Sequence, residues 1–218
     1  MNIALIGASG FVGSAVLDEL LQRGHRVTAI VRDATKLAPR DGLTVVAADV
    51  QQAAQVAQAV EGHDAVVSAF NPGWSDPKLY DLFLAGSRAI VAGLKRAGTP
   101  RALIVGGAGS LFVAPGVQLV DTPAFLDHVP PNIVPGAQAA RDALGELRGE
   151  TQLDWVYLSP PAMLKPGPRS GAYRLGGEEL LMDGAQPAGI TVADLAVAIA
   201  DELATPKHRR QRFTVASA

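Results

Sequence analysis

The 218-residue chain has no cysteine, which rules out disulfides, thiolate catalysis and iron–sulfur ligation. Histidine is scarce. His25, His63, His128 and His208 stand far apart, with no i,i+4 pair and no acidic ligand set nearby, so no zinc or other metal site is expected. Long apolar runs are missing too: LAVAIA (195–200) falls far short of the roughly 20 residues a membrane-spanning helix needs. No basic segment leads into an apolar stretch before the first strand, expected from Asn2, so the expectation is a cytoplasmic protein without a signal peptide. Nor is one sign of charge in excess. The 19 Lys and Arg set against 21 Asp and Glu leave a net charge of −2, which gives no electrostatic reason to expect a nucleic-acid partner. The one basic run, KHRRQR (207–212), reads as a solvated surface segment.

What is present is the composition of a globular protein, 48% hydrophobic and 18% charged, at a length that suits one domain, 1–218, with a substantial core. Short apolar runs alternate with segments of helical period, the pattern of βαβ units around a doubly wound parallel sheet. Strands are expected at 2–6, 26–31, 43–48, 64–69, 101–105 and 153–158, several of them apolar at nearly every position, as strands covered on both faces should be. In the helix expected over 11–23, Val12, Val16, Leu17, Leu20 and Leu21 form the buried stripe. Asp18, Glu19 and Arg23 are expected to face water, and Gly24 to stop the helix. Further helices are expected over 50–61, 77–97, 136–149 and 191–204, the last with Thr191 as N-cap. After residue 158 a Pro/Gly-rich loop and short strands (172–175, 211–216) suggest that 159–218 forms a small cap on the substrate side. The segment 111–135, rich in proline and carrying Phe112, Phe125 and His128, reads as a long binding loop in which His128 is a candidate proton donor.

The most informative stretch is IGASGFVG (6–13), where a strand breaks into glycines and resumes as a helix. Such a turn aims unsatisfied backbone N–H groups at one point, which suits a pyrophosphate. Gly7 permits the tight turn, Gly10 the close approach of phosphates, and Gly13 the packing of helix on sheet. Gly7, Ser9, Gly10, Phe11, Val12 and Gly13 are therefore the candidate phosphate-binding residues, with GxxGxxG spacing. At the ribose end the second strand closes in VRDATK (31–36). Arg32 and Lys36 favour a 2′-phosphate, hence NADP with NAD as the alternative. Asp33 is either counter-evidence, as a ribose-binding acid, or the N-cap of a short helix. Asp49, ending the third strand, is a candidate for the adenine amino group or the N-cap of the next helix.

Together IGASGFVG, VRDATKL, DAVVSAF (64–70) and LIVGGAGSL (103–111) resemble the atypical short-chain dehydrogenase/reductases. More narrowly they resemble an NAD(P)H-binding subgroup of NADH–flavin-reductase-like proteins, akin to biliverdin-reductase-B/flavin reductases and NmrA-like proteins. The stretches 113–125, 154–176 and 211–216 fit that subgroup, so the resemblance spans nearly the whole chain. It implies a Rossmann-like fold and NAD(P)H as cofactor. Residues at the carboxyl ends of strands four to six are then expected near the nicotinamide: Phe70, Asn71 and Pro72, Gly107 to Ser110, and Ser159 and Pro160. Ser110 matches the serine that lies near the nicotinamide in the wider family and is the candidate catalytic residue. The other reading of that serine is one that satisfies its own loop. Phe70 and Trp74 either wall a flat acceptor or pack into the structure, while Trp155 reads as core.

The chain departs from the family in one respect. Standard members use a Tyr-x-x-x-Lys pair as acid and base, and four residues on from Tyr80, Tyr157 and Tyr173 stand Leu84, Pro161 and Gly177. Alcohol oxidation is therefore poorly supported. A flavin, quinone or similar flat small-molecule acceptor, which can draw its proton from solvent, is the expected substrate. The rival reading is an NADP-binding redox sensor without catalysis; a third, an isomerase or dehydratase acting on nucleotide sugars, is disfavoured by the missing pair. A homodimer is compatible with either.

Overall fold

A computed structural model of the chain describes residues 1–218. Eight strands form the central sheet. Those in the first half are Asn2–Ile6 (β1), Arg26–Val31 (β2), Leu43–Ala47 (β3), Ala65–Ser68 (β4) and Ala102–Val105 (β5). Two short strands, Phe112–Ala114 (β6) and Val117–Gln118 (β7), make a separate hairpin before Trp155–Ser159 (β8) returns to the sheet. Met163–Lys165 (β9) follows, then Tyr173–Gly176 (β10), Met182–Asp183 (β11), Gln186–Pro187 (β12), Gly189–Thr191 (β13) and Gln211–Ser217 (β14). The sheet order is β10-β14-β8-β5-β4-β1-β2-β3, parallel throughout except for β10 against β14. Strand order reverses between β1 and β4, and a cleft opens beyond the carboxyl ends of strands at such a point.

Six helices connect and cover the strands: Phe11–Gln22 (α1), Ala53–Val60 (α2), Leu79–Ala97 (α3), Pro123–His128 (α4), Val134–Leu147 (α5) and Val192–Ala204 (α6). The pleat divides each strand between two cores. Ile3 and Leu5 of β1, Leu103 of β5 and Val156 and Leu158 of β8 pack with Val16, Leu17 and Leu20 of α1 and Leu195, Ile199 and Leu203 of α6. On the opposite face Ala4, Ile6, Trp155 and Tyr157 meet Val56, Ile90, Leu94, Leu144 and Leu147 of α2, α3 and α5. Both faces of a parallel strand must be apolar for this layering, which is why these runs read as continuously hydrophobic.

Several boundaries differ from the sequence reading for local reasons. The helix expected over 50–61 starts at Ala53, because Asp49 Oδ1 accepts the Gln51 N–H and holds 49–52 as a turn. The segment 111–135 is not a bare loop but carries the β6–β7 hairpin and α4, capped by Thr122, whose Oγ1 accepts the Phe125 N–H. The C-terminal segment does more than cap. Its strands β10 and β14 extend the main sheet, and α6 packs beside α1. Thr191 caps α6 as expected, its Oγ1 accepting the Asp194 N–H at 3.1 Å.

The expectation that Glu19 faces water is overturned: it is 4% exposed. Arg23, one turn on, donates to it at 2.7 Å, and the loop before β10 lays Arg169 over it, with Nε at 2.8 Å and Nη2 at 3.0 Å. Arg23 continues to Asp201 on α6 at 2.6 Å, so the network joins α1 to the C-terminal half. The Arg169 guanidinium first, with Arg23 behind it, holds the Glu19 carboxyl below the usual carboxylate range against the opposing pull of burial. A carboxylate whose pKa is lowered by folding stabilises the fold above its unfolded pKa, about 4.3, and loses that contribution as pH falls through the folded value. Glu19→Gln should therefore cost about 1–2 kcal/mol at pH 7, the partners being partly exposed. The gap from wild type should close between roughly pH 5 and pH 3, as denaturant melts across that range will check. A gap independent of pH would remove the ion pair as its cause.

Candidate functional site

Beyond the carboxyl ends of β1 and β4 lies a cleft of about 290 Å³ whose walls include Gly7, Ser9, Gly10, Arg32, Asp49, Phe70 and Asn71. Its floor is the turn from β1 into α1. Gly7 has φ +79°, and a Cβ there would stand 2.5 Å from the Ala69 carbonyl oxygen. At Gly13 a Cβ would stand 2.0 Å from the Gly7 oxygen, so only glycine lets α1 settle against the strand it follows. Gly10, the N-cap of α1, supplies no side-chain cap, and the first turn holds no acidic residue. The opening N–H groups of the helix, at Phe11, Val12 and Gly13, are thus left for an anion. Gly13 works from behind, through packing. Phe11 is 50% exposed.

At the end of β2 the structure separates the two opposed charges. The Asp33 carboxylate accepts from the Thr35 N–H at 3.0 Å and the Thr35 hydroxyl at 2.6 Å, capping the turn 34–36, and Asp33 is not among the cleft walls. These Thr35 bonds, the side-chain one first, hold its carboxyl low. Arg32 does line the cleft. No carboxylate pairs with it, and its contact within the chain is a long one, Nη2 to the Pro72 carbonyl oxygen at 3.4 Å. Lys36 closes the same turn without lining the cleft. Asp49 sits between the apolar walls Ala48, Val50 and Leu82. One of its oxygens takes the Gln51 N–H, so it acts as a turn former and not as the N-cap of α2. An unpaired guanidinium, a backbone N–H cradle and an apolar slot with a carboxylate at its lip fit a phosphorylated adenine dinucleotide.

Sequence reasoning missed Gln51, Asp76 and Leu82 as walls. Gln51 Nε2 donates to the Leu82 carbonyl at 2.9 Å, tying the slot together. The only hint in the sequence was its position two residues after Asp49. Asp76, whose carboxylate accepts the Lys78 N–H, reaches the cleft through a loop whose course no periodicity announces.

The residues expected near the nicotinamide are less engaged with the cleft. Phe70 walls the cleft but also packs on Phe83, ring centroids 5.9 Å apart. Trp74 is not part of the wall and lies over Gly136, where an added Cβ would come within 2.9 Å of its ring. His128 is exposed and bonds back to the Ala124 oxygen of its own helix. Gly107, Ser110 and Pro160 stand at the ends of β5 and β8 without lining the cleft. Ser110 is 1% exposed. Its hydroxyl turns to the Gly107 oxygen at 3.4 Å and Ser159 Oγ at 3.3 Å, so in this conformation it touches no group in the cleft.

None of the tyrosines takes the place of the missing acid. Tyr157 OH is buried and donates to the Ala140 oxygen at 2.8 Å, burial pushing its pKa up. Tyr80 and Tyr173 donate to Asp142 and Asp201, each at 2.7 Å.

Comparison with known proteins agrees with this geometry. The sequence profile of the NAD(P)H-binding family matches residues 7–206. The uncharacterized protein YwnB of Bacillus subtilis is 39% identical over 220 residues, covering all of this chain and 99% of that one. A solved Bacteroides thetaiotaomicron structure, named for an inferred epimerase activity, is 45% identical with a TM-score of 0.90, over 99% of this chain and 96% of that one. A Streptococcus pneumoniae structure, named for an inferred NADH-flavin reductase activity, is 32% identical with a TM-score of 0.85 over the full length of both. With the Rossmann-like sheet, the glycine turn and a profile match along nearly its whole length, the chain belongs to the NAD(P)H-binding family, with the fold of the atypical short-chain dehydrogenase/reductases.

Proposed function

We propose that this protein is an NADPH-dependent reductase acting on a flat acceptor, a flavin or a quinone. The observation that carries the reading is the state of the three tyrosine hydroxyls: each donates to an oxygen of the chain itself, and none borders the cleft. An alcohol or sugar substrate needs a positioned acid and base at the reacting carbon, and no tyrosine here supplies one. A flavin or quinone needs orientation and exclusion of water, with its proton drawn from solvent. When bound, NADPH supplies a hydride from its nicotinamide C4, becoming NADP⁺, and the acceptor takes up that hydride and one solvent proton.

The chain's own residues bind and orient. The turn Gly7–Gly10 and the first N–H groups of α1 would hold the pyrophosphate, Arg32 the 2′-phosphate, and Asp49 the adenine amino group. Phe70 and Asn71 stand where the cleft leads toward β5. The reductase name of the S. pneumoniae neighbour favours the same reading.

Purified protein mixed with NADPH and menadione or FMN should consume NADPH, followed at the nicotinamide absorbance band. NADPH binding without turnover on either acceptor would overturn the reductase reading in favour of a sensor. Arg32→Ala should weaken NADPH binding roughly ten- to a hundred-fold and leave NADH binding little changed. Asp33→Ala should alter neither affinity, since that carboxylate is bound to Thr35. Equal losses for both coenzymes in the Arg32 variant would remove the 2′-phosphate contact from the account.

A further inference from the structure

Within the basic run 207–212, expected to be solvated, Arg212 is buried, with none of its side chain exposed. It lies in β14 opposite Tyr157 of β8. Its Nη1 stands 3.5 Å from Ser110 Oγ and 3.4 Å from Ser159 Oγ, and the two hydroxyls are 3.3 Å apart. Nη2 donates to the Glu178 main-chain oxygen at 2.8 Å and to its carboxylate at 2.5 Å, while Nε is buried without a partner. Glu178 is shared with Arg148 of the segment after α5, also at 2.5 Å. Two guanidinium groups on one carboxylate leave positive charge in excess, and its inner member is out of water.

Burying an ionised guanidinium is costly, and anchoring β14 does not require it, since Phe213 and Val215 already pack in the core. The hydroxyl contacts suggest another use. As a donor to both oxygens, Arg212 leaves each hydroxyl its proton to give: Ser159 toward Ser110, and Ser110 toward the Gly107 oxygen. That fixes the turn Gly107–Ser110 at the carboxyl end of β5, beside the acceptor end of the cleft.

We propose that Arg212 is a positioning residue for the reduction, holding the Ser110–Ser159 hydroxyl pair and setting a buried positive charge behind the acceptor end. The proposal rests on the reductase reading. Negative charge gathers on the acceptor as hydride arrives, and a fixed cation in a low-dielectric surrounding favours that state without reorganising. Ser110 is the link through which the turn is held and does not itself touch the acceptor.

The test is steady-state turnover of menadione at saturating NADPH, with a thermal melt of each variant. Arg212→Met should lower kcat about tenfold or more with the KM for NADPH unchanged, and Arg212→Lys should restore most of the rate. Glu178→Gln, which removes the counter-charge, should keep or raise kcat. Ser110→Ala should lower it less than Arg212→Met does. If Arg212→Met does not fold, the Lys and Gln variants decide the matter. Wild-type turnover with Arg212→Met unimpaired would overturn the proposal alone. So would an Arg212→Lys rate no better than that of the Met variant, or a Glu178→Gln rate that falls in step with its melting temperature, as a purely structural tie requires. No turnover by the wild type would overturn the reductase reading and this proposal with it.

Discussion

The contact on which the rest of the molecule depends is the approach of α1 to the strand that precedes it. The backbone at Gly13 comes so near the Gly7 carbonyl that a Cβ would stand 2.0 Å from its oxygen. That approach requires glycine at both ends, Gly7 for its left-handed φ and Gly13 for want of a side chain. It aims the helix N-terminus across the point where strand order reverses. Everything the cleft can bind follows from that aim: N–H groups on the floor, the end of β2 at one side and the end of β4 at the other. The packing of α1 on the sheet and the geometry proposed to cradle phosphate are one feature.

Charge is then distributed unequally along the cleft. At the ribose end a guanidinium waits unpaired while its neighbouring carboxylate is bound to Thr35. Toward β5 and β8 the hydroxyl groups of Ser110, Ser159 and Tyr157 are bonded inward, to a main-chain oxygen or to one another. In the reading proposed above, such a site serves to hold a coenzyme and has little of its own to offer a substrate. That asymmetry favours hydride transfer between two ring systems over chemistry that needs a protein acid.

The layered fold, and much of the cleft lining around Gly7, Gly10, Arg32 and Asp49, were legible in the sequence, because both rest on local rules. Continuous apolar runs mark doubly covered strands, glycine spacing marks the phosphate turn, and Asp33 followed by Thr35 marks a capped turn as readily as a ribose site. The remainder was hidden because it depends on partners distant in sequence. Glu19 sits on what reads as the polar side of α1 and becomes buried only when Arg169, 150 residues on, covers it. Arg212 belongs to a run whose composition signals solvent, yet the register of β14 against β8 turns it inward. Ser110 was legible as a serine in the right place, but not as one closed over by Ser159 and Arg212. No periodicity distinguishes a hydroxyl that faces a ligand from one that faces a neighbour.

The proposed preference for a coenzyme carrying a 2′-phosphate is tested most directly by calorimetric titration of the unmodified protein with NADP⁺ and NAD⁺ at one salt concentration. NADP⁺ should bind tighter by roughly ten- to a hundred-fold, with the difference shrinking as added salt screens Arg32. Equal affinities, or tighter binding of NAD⁺, would contradict it.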